Sequence, residues 1–209
     1  MGRSELKLRE MFSLEGKTAV ITGAGGILFG TVARGLAQLG VKIAALDLRL
    51  EEAEKTARDV KESGTDSLAV AVDVLNQESV RNAYKAVVKK FGRVDILING
   101  AGGNHPRALT NKEEGVYFHN LSPEGIKFVF DLNILGTVLP SLVFVEKMIE
   151  QKEGVIINTS SMSADTPLSR TVAYSAAKAA VSNFTKWLAA DLAMNHSPLI
   201  RVNEIRPGF

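Results

Sequence analysis

Short apolar runs alternate along the chain with longer segments in which apolar residues recur every three or four positions. The short runs are rich in Val, Ile, Leu and Ala and predict six strands, at residues 18–22, 42–46, 67–72, 94–98, 154–159 and 200–205. The longer segments predict helices at 31–39, 50–63, 77–91, 123–151 and 171–195. Strands that alternate with helices are typical of a parallel sheet covered on both faces. We therefore predict a doubly wound α/β sheet, a Rossmann fold, as a single domain over residues 1–209.

Composition narrows the function classes. The chain has 209 residues, 45% of them hydrophobic and 23% charged, with a net charge of +2. No block of Lys and Arg stands out, so no nucleic-acid partner is predicted. The absence of cysteine excludes disulfides and thiolate chemistry, and no metal-ligand spacing occurs, so no metal is predicted. Residues 1–12 lack the apolar core of a signal peptide, and we expect no apolar run of the length of a membrane span. We expect a cytoplasmic protein without a membrane partner.

A glycine-rich turn follows the first apolar strand and opens the first helix. Glycine is needed where the backbone turns tightly and approaches a pyrophosphate, and the helix start offers free N–H groups to phosphates. A tight turn without a ligand is the alternative. We predict a dinucleotide site whose cofactor contacts include Gly23, Gly25, Gly26, Ile27, Leu28 and Gly30.

Polar residues end three further strands. Asp47 closes the second strand, where a carboxylate accepts hydrogen bonds from ribose hydroxyls and repels a 2′-phosphate, which favours NAD(H) over NADP(H). Arg49 leaves NADP(H) open, because its guanidinium could turn towards a phosphate. The ends of the third and fourth strands are predicted either to contact the cofactor or to supply turn chemistry, through Asp73, Val74, Asn99, Ala101 and Gly102.

Tyr174 and Lys178 are four residues apart, so a helix places them on one face, and Ser161 precedes the tyrosine by thirteen residues. A free phenol has a pKa of about 10 and works best as a proton donor or acceptor nearer the operating pH. A neighbouring cation in a partly desolvated cleft can lower that pKa. Together with the glycine turn, this pair predicts a nicotinamide-dependent oxidoreductase.

In order and spacing, the chain resembles the short-chain dehydrogenase/reductases along essentially its whole length. The matching motifs are Thr22-Gly23 to Gly30, Asp47, Asp73-Val74, Asn99 to Gly102, Asn133, Ser161, Tyr174 with Lys178, and Pro207-Gly208. The resemblance implies that Tyr174 exchanges a proton with the substrate oxygen and that Lys178 lowers its pKa and holds the nicotinamide ribose. It further implies that Ser161 binds the carbonyl oxygen, with Ser160 as its rival, and that Asn133 holds a water. Pro207 and Gly208 would contact the cofactor, and the protein would form a dimer or tetramer.

Departures from the family pattern narrow the resemblance. Ile27 and Phe29 stand where glycines are usual, and Gly100 replaces an asparagine. These variations resemble the branch of D-mannonate oxidoreductases and gluconate 5-dehydrogenase-like enzymes, which implies a sugar-acid substrate, with D-fructuronate and D-mannonate as the leading pair. Another polyol, a keto-gluconate or a steroid-like alcohol is the alternative substrate, and NAD(H) sensing without chemistry is the alternative function. Family members usually continue past the Pro-Gly turn with a helix and a last strand, which this chain is expected to lack.

A sugar acid needs hydrogen-bond donors and a cation in its pocket. The irregular segment 101–121 is long for a connection between strand and helix and carries Asn104, His105 and Arg107. Arg170 lies between Ser161 and Tyr174. These four residues are the predicted substrate contacts, with Arg107 or Arg170 reading the carboxylate. Solvated loop arginines are the alternative.

Overall fold

The structure is a computed structural model that describes residues 13–166 and 168–208. The segment 1–12, judged above for a signal peptide, lies outside the described residues, as do Pro167 and Phe209. Six strands form one parallel sheet in the order β3-β2-β1-β4-β5-β6. They are β1 (Thr18–Thr22), β2 (Lys42–Asp47), β3 (Ser67–Ala71), β4 (Ile96–Asn99), β5 (Gly154–Thr159) and β6 (Ile200–Ile205). The predicted doubly wound α/β fold is confirmed.

Six α-helices connect these strands, namely α1 (Ile27–Ala37), α2 (Leu50–Glu62), α3 (Gln77–Phe91), α4 (Pro123–Phe130), α5 (Gly136–Gln151) and α6 (Val172–Asn195). Helix α1 begins four residues earlier than predicted, because extended Gly26 ends the turn and the chain becomes helical at once. The predicted helix 123–151 is interrupted by a π-helical turn at Asp131–Leu135. A one-residue insertion of this kind rotates the helical phase by about 100°, but residues 128–145 are apolar on most sides, so periodicity does not reveal it.

Strand β1 is the switch point of the sheet. It pairs with β2 on one side and with β4 on the other. Strands β2 and β3 therefore extend the sheet towards one edge, and β4, β5 and β6 extend it towards the other. In such sheets ligands bind outside the carboxyl ends of the strands, at the point where the order reverses. Successive residues of β1 pack in separate cores: Val20 lies in the cluster with α3, α5 and α6, and Ile21 in the cluster with α1. The sheet is therefore covered on both faces.

One helical stretch is apolar enough to cross a membrane. Residues Pro123–Gln151 meet the length and composition of a span, contrary to the expectation from the sequence. Half of their most apolar window is buried, and Val143, Phe144 and Met148 pack in the core against the sheet. This burial identifies the stretch as a core helix of the fold.

Candidate active site

The glycine turn brings two strand ends together. Gly23 has a φ of +65°, a conformation that favours glycine. A Cβ on it would lie 3.0 Å from backbone atoms of Gly100 and Ala101, in the segment that follows β4. Thr22 holds the same segment, because its Oγ1 accepts hydrogen bonds from the N–H groups of Gly100 (3.1 Å) and Ala101 (3.2 Å). The floor of the cleft is thus made of closely packed backbone.

Asp47 is oriented by the backbone around it. Its Oδ2 accepts a hydrogen bond from the N–H of Gly25 at 3.0 Å, and its Oδ1 accepts one from the N–H of Arg49 at 3.1 Å. A Cβ on Gly25 would lie 2.9 Å from that Oδ2 and 2.5 Å from the Cβ of Glu52. Glycine at position 25 therefore allows the carboxylate to sit at the end of β2.

A continuous cleft runs along the carboxyl ends of the strands. Its outer part, near α1 and β2, has a volume of about 580 Å³, and its inner part, near α6, about 360 Å³. Leu28, Phe29, Gly100 and Gly102 line both parts, which makes them one cleft. Of the predicted residues, the outer part is lined by Gly23, Gly26, Ile27, Leu28, Asp47, Asp73, Val74, Ala101 and Gly102. The inner part is lined by Leu28, Gly102, Ser161, Tyr174, Lys178, Pro207 and Gly208.

Two of the predicted turn glycines lie beside this cleft. Gly25 and Gly30 line a separate cavity of about 160 Å³ between α1 and α2. A Cβ on Gly30 would lie 3.2 Å from the carbonyl oxygen of Ala24. The structure therefore gives these two glycines a packing role in the turn.

Tyr174 and Lys178 meet at the inner end of the cleft, as the helical spacing predicted. The Nζ of Lys178 lies 5.4 Å from the centre of the Tyr174 ring and donates a hydrogen bond to the carbonyl oxygen of Thr159 at 2.7 Å. Lys178 is only 3% exposed, and burial lowers its pKa to about 8. Burial also raises the pKa of Tyr174, against a smaller lowering by the hydrogen bond with Ser161. The expected lowering of the phenol pKa by Lys178 is not seen here, because desolvation is the largest effect on both groups.

The two neighbouring serines have different roles. The Oγ of Ser161 accepts a hydrogen bond from the N–H of Ser163 at 3.1 Å, and the side chain lies at the cleft beside Tyr174. The hydroxyl of Ser160 donates to the carbonyl oxygen of Lys178 at 3.0 Å and lies 2.7 Å from the hydroxyl of Ser182. Both serines border the inner part of the cleft, but the hydroxyl of Ser160 is hydrogen-bonded into the core, so the geometry favours Ser161 as the serine that faces the substrate.

The π-helical turn presents Asn133 to the cleft floor. Its Nδ2 donates to the carbonyl oxygens of Gly103 (2.7 Å) and Val129 (2.8 Å), and its Oδ1 accepts from the N–H of Gly103 (3.2 Å). A Cβ on Gly102 would lie 2.8 Å from that Oδ1 and 3.2 Å from the Nζ of Lys178. Glycine at position 102 therefore lets Asn133 and Lys178 approach each other.

Asn99 is placed differently from the prediction. Its side chain is fully buried, and its Nδ2 donates to Ser141 Oγ at 2.9 Å and to Asn158 Oδ1 at 2.8 Å. Alternation along β4 turns this residue into the core, away from the cofactor edge. A side-chain contact between Asn99 and a cofactor is thus replaced by a contact within the core.

The predicted substrate residues also lie outside the lining of the cleft. Arg107 Nη2 donates to Ser122 Oγ at 2.8 Å and pairs with the carboxylate of Glu124 at 3.2 Å. Arg170 donates from Nε to the carbonyl oxygen of Thr110 at 2.8 Å and lines a separate cavity. The side chain of Asn104 accepts a hydrogen bond from its neighbour's N–H, and the ring of His105 lies edge-on to Phe128 at 5.2 Å. Folding of the loop uses these polar groups, which is why they do not converge on Tyr174.

Phe29 is a cleft residue that pattern reasoning missed. Its side chain is 5% exposed and lies so close to Gly100 that a Cβ there would be 2.4 Å from Cδ2. The two departures from the family pattern, Phe29 and Gly100, are therefore in contact. The sequence signal for this contact was that both positions depart from the family pattern. Only the tertiary structure shows that the two residues touch.

Comparisons with known proteins agree with this geometry. A sequence model of the family described as short chain dehydrogenase matches residues 17–209. The chain belongs to the short-chain dehydrogenase family. An uncharacterised oxidoreductase of Haemophilus influenzae is 44% identical over 205 residues, which cover 94% of this chain and 71% of the relative. The D-threitol dehydrogenase of Mycolicibacterium smegmatis is 35% identical over 203 residues, which cover 97% of this chain and 74% of the relative.

A solved structure extends the likeness to three dimensions. The crystal structure of a candidate D-mannonate oxidoreductase from Haemophilus influenza, with bound NAD, has a TM-score of 0.89 and 44% identity. The match covers 97% of this chain and 74% of that one. The predicted family, fold and enzyme class of this short-chain dehydrogenase are confirmed, and the NAD(H) prediction agrees with the bound cofactor of that neighbour.

The residues of the cleft fit a nicotinamide dinucleotide. Gly26 is the N-cap of α1 and makes no side-chain hydrogen bond to the first N–H groups of the helix. A phosphate in the cleft can therefore accept hydrogen bonds from these N–H groups. Asp47 supplies a carboxylate at the outer end, and Tyr174 and Lys178 supply polar groups at the inner end. These residues could hold the phosphates, the adenine ribose and the nicotinamide ribose, respectively.

Proposed function

We propose that this short-chain dehydrogenase uses NAD(H) to interconvert a carbonyl and a secondary alcohol on a sugar acid, with D-fructuronate and D-mannonate as the leading pair. The observation that carries the proposal is the single cleft that joins Asp47 at one end to Ser161, Tyr174 and Lys178 at the other. Such a cleft suits a dinucleotide whose reactive end lies beside a proton donor.

The chemistry of the inner end follows from its side chains. A bound nicotinamide supplies or accepts a hydride at the substrate carbon. The phenol of Tyr174 gives its proton to the substrate oxygen in reduction and takes it back in oxidation. The hydroxyl of Ser161 donates a hydrogen bond to the same oxygen and stabilises the negative charge that develops there. Lys178, with a pKa of about 8, is mostly protonated at neutral pH, and its ammonium group is available to hold the nicotinamide ribose.

The sugar-acid assignment rests on the resemblance to the D-mannonate oxidoreductase neighbour, which is 44% identical. Among the described residues that line the inner part of the cleft, Lys178 is the sole cation. We propose that Arg107 or Arg170 binds the carboxylate of the substrate. To do so, either side chain must first give up its present hydrogen bonds in the loop. The similarity to a D-threitol dehydrogenase favours a polyol as the second candidate substrate.

The deciding experiment follows NADH absorbance when the protein meets D-fructuronate, with 5-keto-D-gluconate, NADPH and D-threitol plus NAD⁺ as parallel reactions. We expect NADH oxidation with D-fructuronate and none with the Tyr174→Phe variant. Turnover of D-threitol alone would replace the sugar acid with a polyol. NADH binding without turnover of any of these compounds would favour the sensing function.

We further propose a homo-oligomer, a dimer or tetramer. Helices α5 and α6 leave large apolar side chains at the surface, with exposed fractions of 54% for Leu142, 61% for Trp187 and 78% for Met194. Both helices pack in the same core cluster, and large apolar side chains left exposed on them favour an interface. Light scattering should give the mass of two or four chains, and Trp187→Glu should lower it. A monomer would refute this proposal. The cytoplasmic location stays a prediction.

A further inference from the structure

A chain of buried hydrogen bonds joins the two helices that carry the candidate catalytic residues. Asn133 lies in the π-helical turn that leads into α5, and Tyr174 and Lys178 lie on α6. The chain starts at Asn99, on the central strand β4, whose Nδ2 donates in two directions. None of its members is needed to line the cleft at the reacting groups. Its presence therefore calls for an explanation beyond direct contact with a ligand.

One arm of the chain runs towards Asn133. Asn99 Nδ2 donates to Ser141 Oγ at 2.9 Å, and Ser141 Oγ donates to the carbonyl oxygen of Thr137 at 2.7 Å. Thr137 Oγ1 then donates to the carbonyl oxygen of Asn133 at 2.9 Å. These four side chains are at most 2% exposed. The arm thus ends on the backbone of the π-helical turn.

The other arm runs towards Lys178. Asn99 Nδ2 donates to Asn158 Oδ1 at 2.8 Å, and Asn158 Nδ2 donates to Thr185 Oγ1 at 2.9 Å. Thr185 Oγ1 donates in turn to the carbonyl oxygen of Val181 at 2.8 Å, one helical turn beyond Lys178. This arm crosses from β4 through β5 and ends on the backbone of α6.

The direction of each bond is fixed from the centre outwards. The side-chain amide of Asn99 donates one hydrogen to each arm, and the hydroxyls of Ser141 and Thr185 each accept from a network amide and donate to a carbonyl oxygen of their own helix. Buried polar groups are unfavourable unless they are hydrogen-bonded, and hydrogen bonds between buried side chains specify one arrangement more strictly than apolar packing does. The Oδ1 of Asn99 has no hydrogen-bond partner among the described residues, so its Nδ2 alone ties Asn99 to the two arms. A one-turn slip of α5 would break the arm through Ser141, and a one-turn slip of α6 would break the arm through Thr185. The network therefore fixes the two helices relative to each other.

We propose that Asn99, Asn158 and Thr185 are positioning residues that set the placement of Asn133 and Tyr174–Lys178 in the active cleft. The proposal rests on the proposed function, because it assigns the network to the rate of that reaction. It also gives Asn99 a role in catalysis that needs no contact with the cofactor.

Thr185 offers a matched pair of variants. Thr185→Val keeps the shape of the side chain and removes the hydroxyl, whereas Thr185→Ser keeps the hydroxyl. We expect Thr185→Val to lower kcat about tenfold, the order of loss that follows from small misplacement of reacting groups, and to leave the Kd for NADH within about twofold of wild type. Thr185→Ser should restore most of kcat. Asn158→Leu is the stronger variant and should lower kcat further if it folds.

A control separates positioning from stability. Ser67 also buries a hydroxyl that donates to a backbone carbonyl, that of Ala57 at 2.7 Å, but it lies on β3, in the other half of the sheet. Ser67→Ala should lower the Tm and leave kcat unchanged. Equal kcat for Thr185→Val and wild type, or an equal loss in Ser67→Ala, would overturn the proposal.

A measurement without substrate keeps this test independent of the proposed function. The phenol of Tyr174 can be titrated by near-ultraviolet absorbance, as the difference between each protein and its Tyr174→Phe counterpart. In Thr185→Val we expect the raised pKa of Tyr174 to move back towards its ordinary value, because a loosened α6 admits water. Absent turnover in wild type would refute the proposed reaction alone. An unchanged titration in Thr185→Val would refute the positioning role.

Discussion

The two halves of the cleft recognise their ligands by different means. The outer half, around β1, β2 and α1, uses backbone: glycine at positions 23 and 25 allows close approach, and two N–H groups hold the carboxylate of Asp47. The inner half, around β4, β5 and α6, uses side chains such as those of Tyr174 and Lys178, and buried hydroxyls hydrogen-bond the backbone of the helix that carries them. Backbone recognition is damaged by added atoms, whereas side-chain recognition is damaged by removed hydrogen-bonding groups. The two halves should therefore respond separately to substitution.

The largest effect is expected from Tyr174→Phe. Loss of the phenol proton should lower kcat at least about a thousandfold, within the range of general acid–base catalysis, because no other described side chain in the inner part matches its position. NADH binding should stay near wild type, since the outer half is unchanged. Stopped reactions with D-fructuronate give kcat, and fluorescence titration gives the Kd. Preserved turnover would remove Tyr174 from the mechanism, and lost NADH binding would contradict the separation of the halves.

The pH dependence of stability in the Lys178→Met variant tests whether Lys178 is buried in the inner half of the cleft. Folding lowers the pKa of Lys178 from 10.5 to about 8, because burial disfavours the charged amine. Below about pH 8 the folded protein carries this unfavourable buried charge. Stability of the wild type should rise as the pH climbs from about 8 towards 10.5, since the unfolded chain then binds more protons. The variant lacks this rise, so its stability relative to wild type should fall by about 3 kcal/mol between pH 7 and pH 10.5. Urea unfolding at several pH values measures it, and Lys186→Met, on the exposed side of α6, is the control.

Asp47→Ala tests the outer half and should have the smallest effect. Removing the carboxylate deletes an acceptor for ribose hydroxyls and a repulsion of the 2′-phosphate, so the preference for NADH over NADPH should fall about tenfold, the equivalent of one charged hydrogen bond. The kcat with saturating NADH should change little. The measurement is the ratio of kcat/KM for the two cofactors. Asp73→Ala is the control, because it removes a carboxylate that follows the next strand. An unchanged ratio would refute the role of Asp47.

The order of elements was predictable because it is written in local patterns. Strand positions agreed within two residues, since runs of Val, Ile and Ala at fixed spacing form buried strands in any parallel sheet. The glycine turn and the Tyr174–Lys178 pair were equally local, because each depends on spacing within one turn or one helix. The start of α1 and the π-helical turn were not predicted, because both change the backbone without changing the apolar pattern.

Long-range contacts decided the roles of individual residues. Asn99 was predicted at the cofactor edge and instead bridges Ser141 and Asn158, because a partner 59 residues away lies directly beside it on β5. Arg107 was predicted to face substrate and instead pairs with Glu124. Neither partner can be read from spacing, since many polar residues compete for each contact until the chain is folded.

The sequence by itself therefore determined the doubly wound fold, the family and the enzyme class, and it supplied the candidate residues for the chemistry. Those features depend on periodicity and on motifs whose members are neighbours in the chain. Only the tertiary structure decided that Gly100 accommodates Phe29, that Ser160 serves the core, and that buried amides and hydroxyls join α5 to α6. The reason is physical: a buried polar group must find a partner, and which partner it finds is set by the packing of the whole sheet rather than by its own segment.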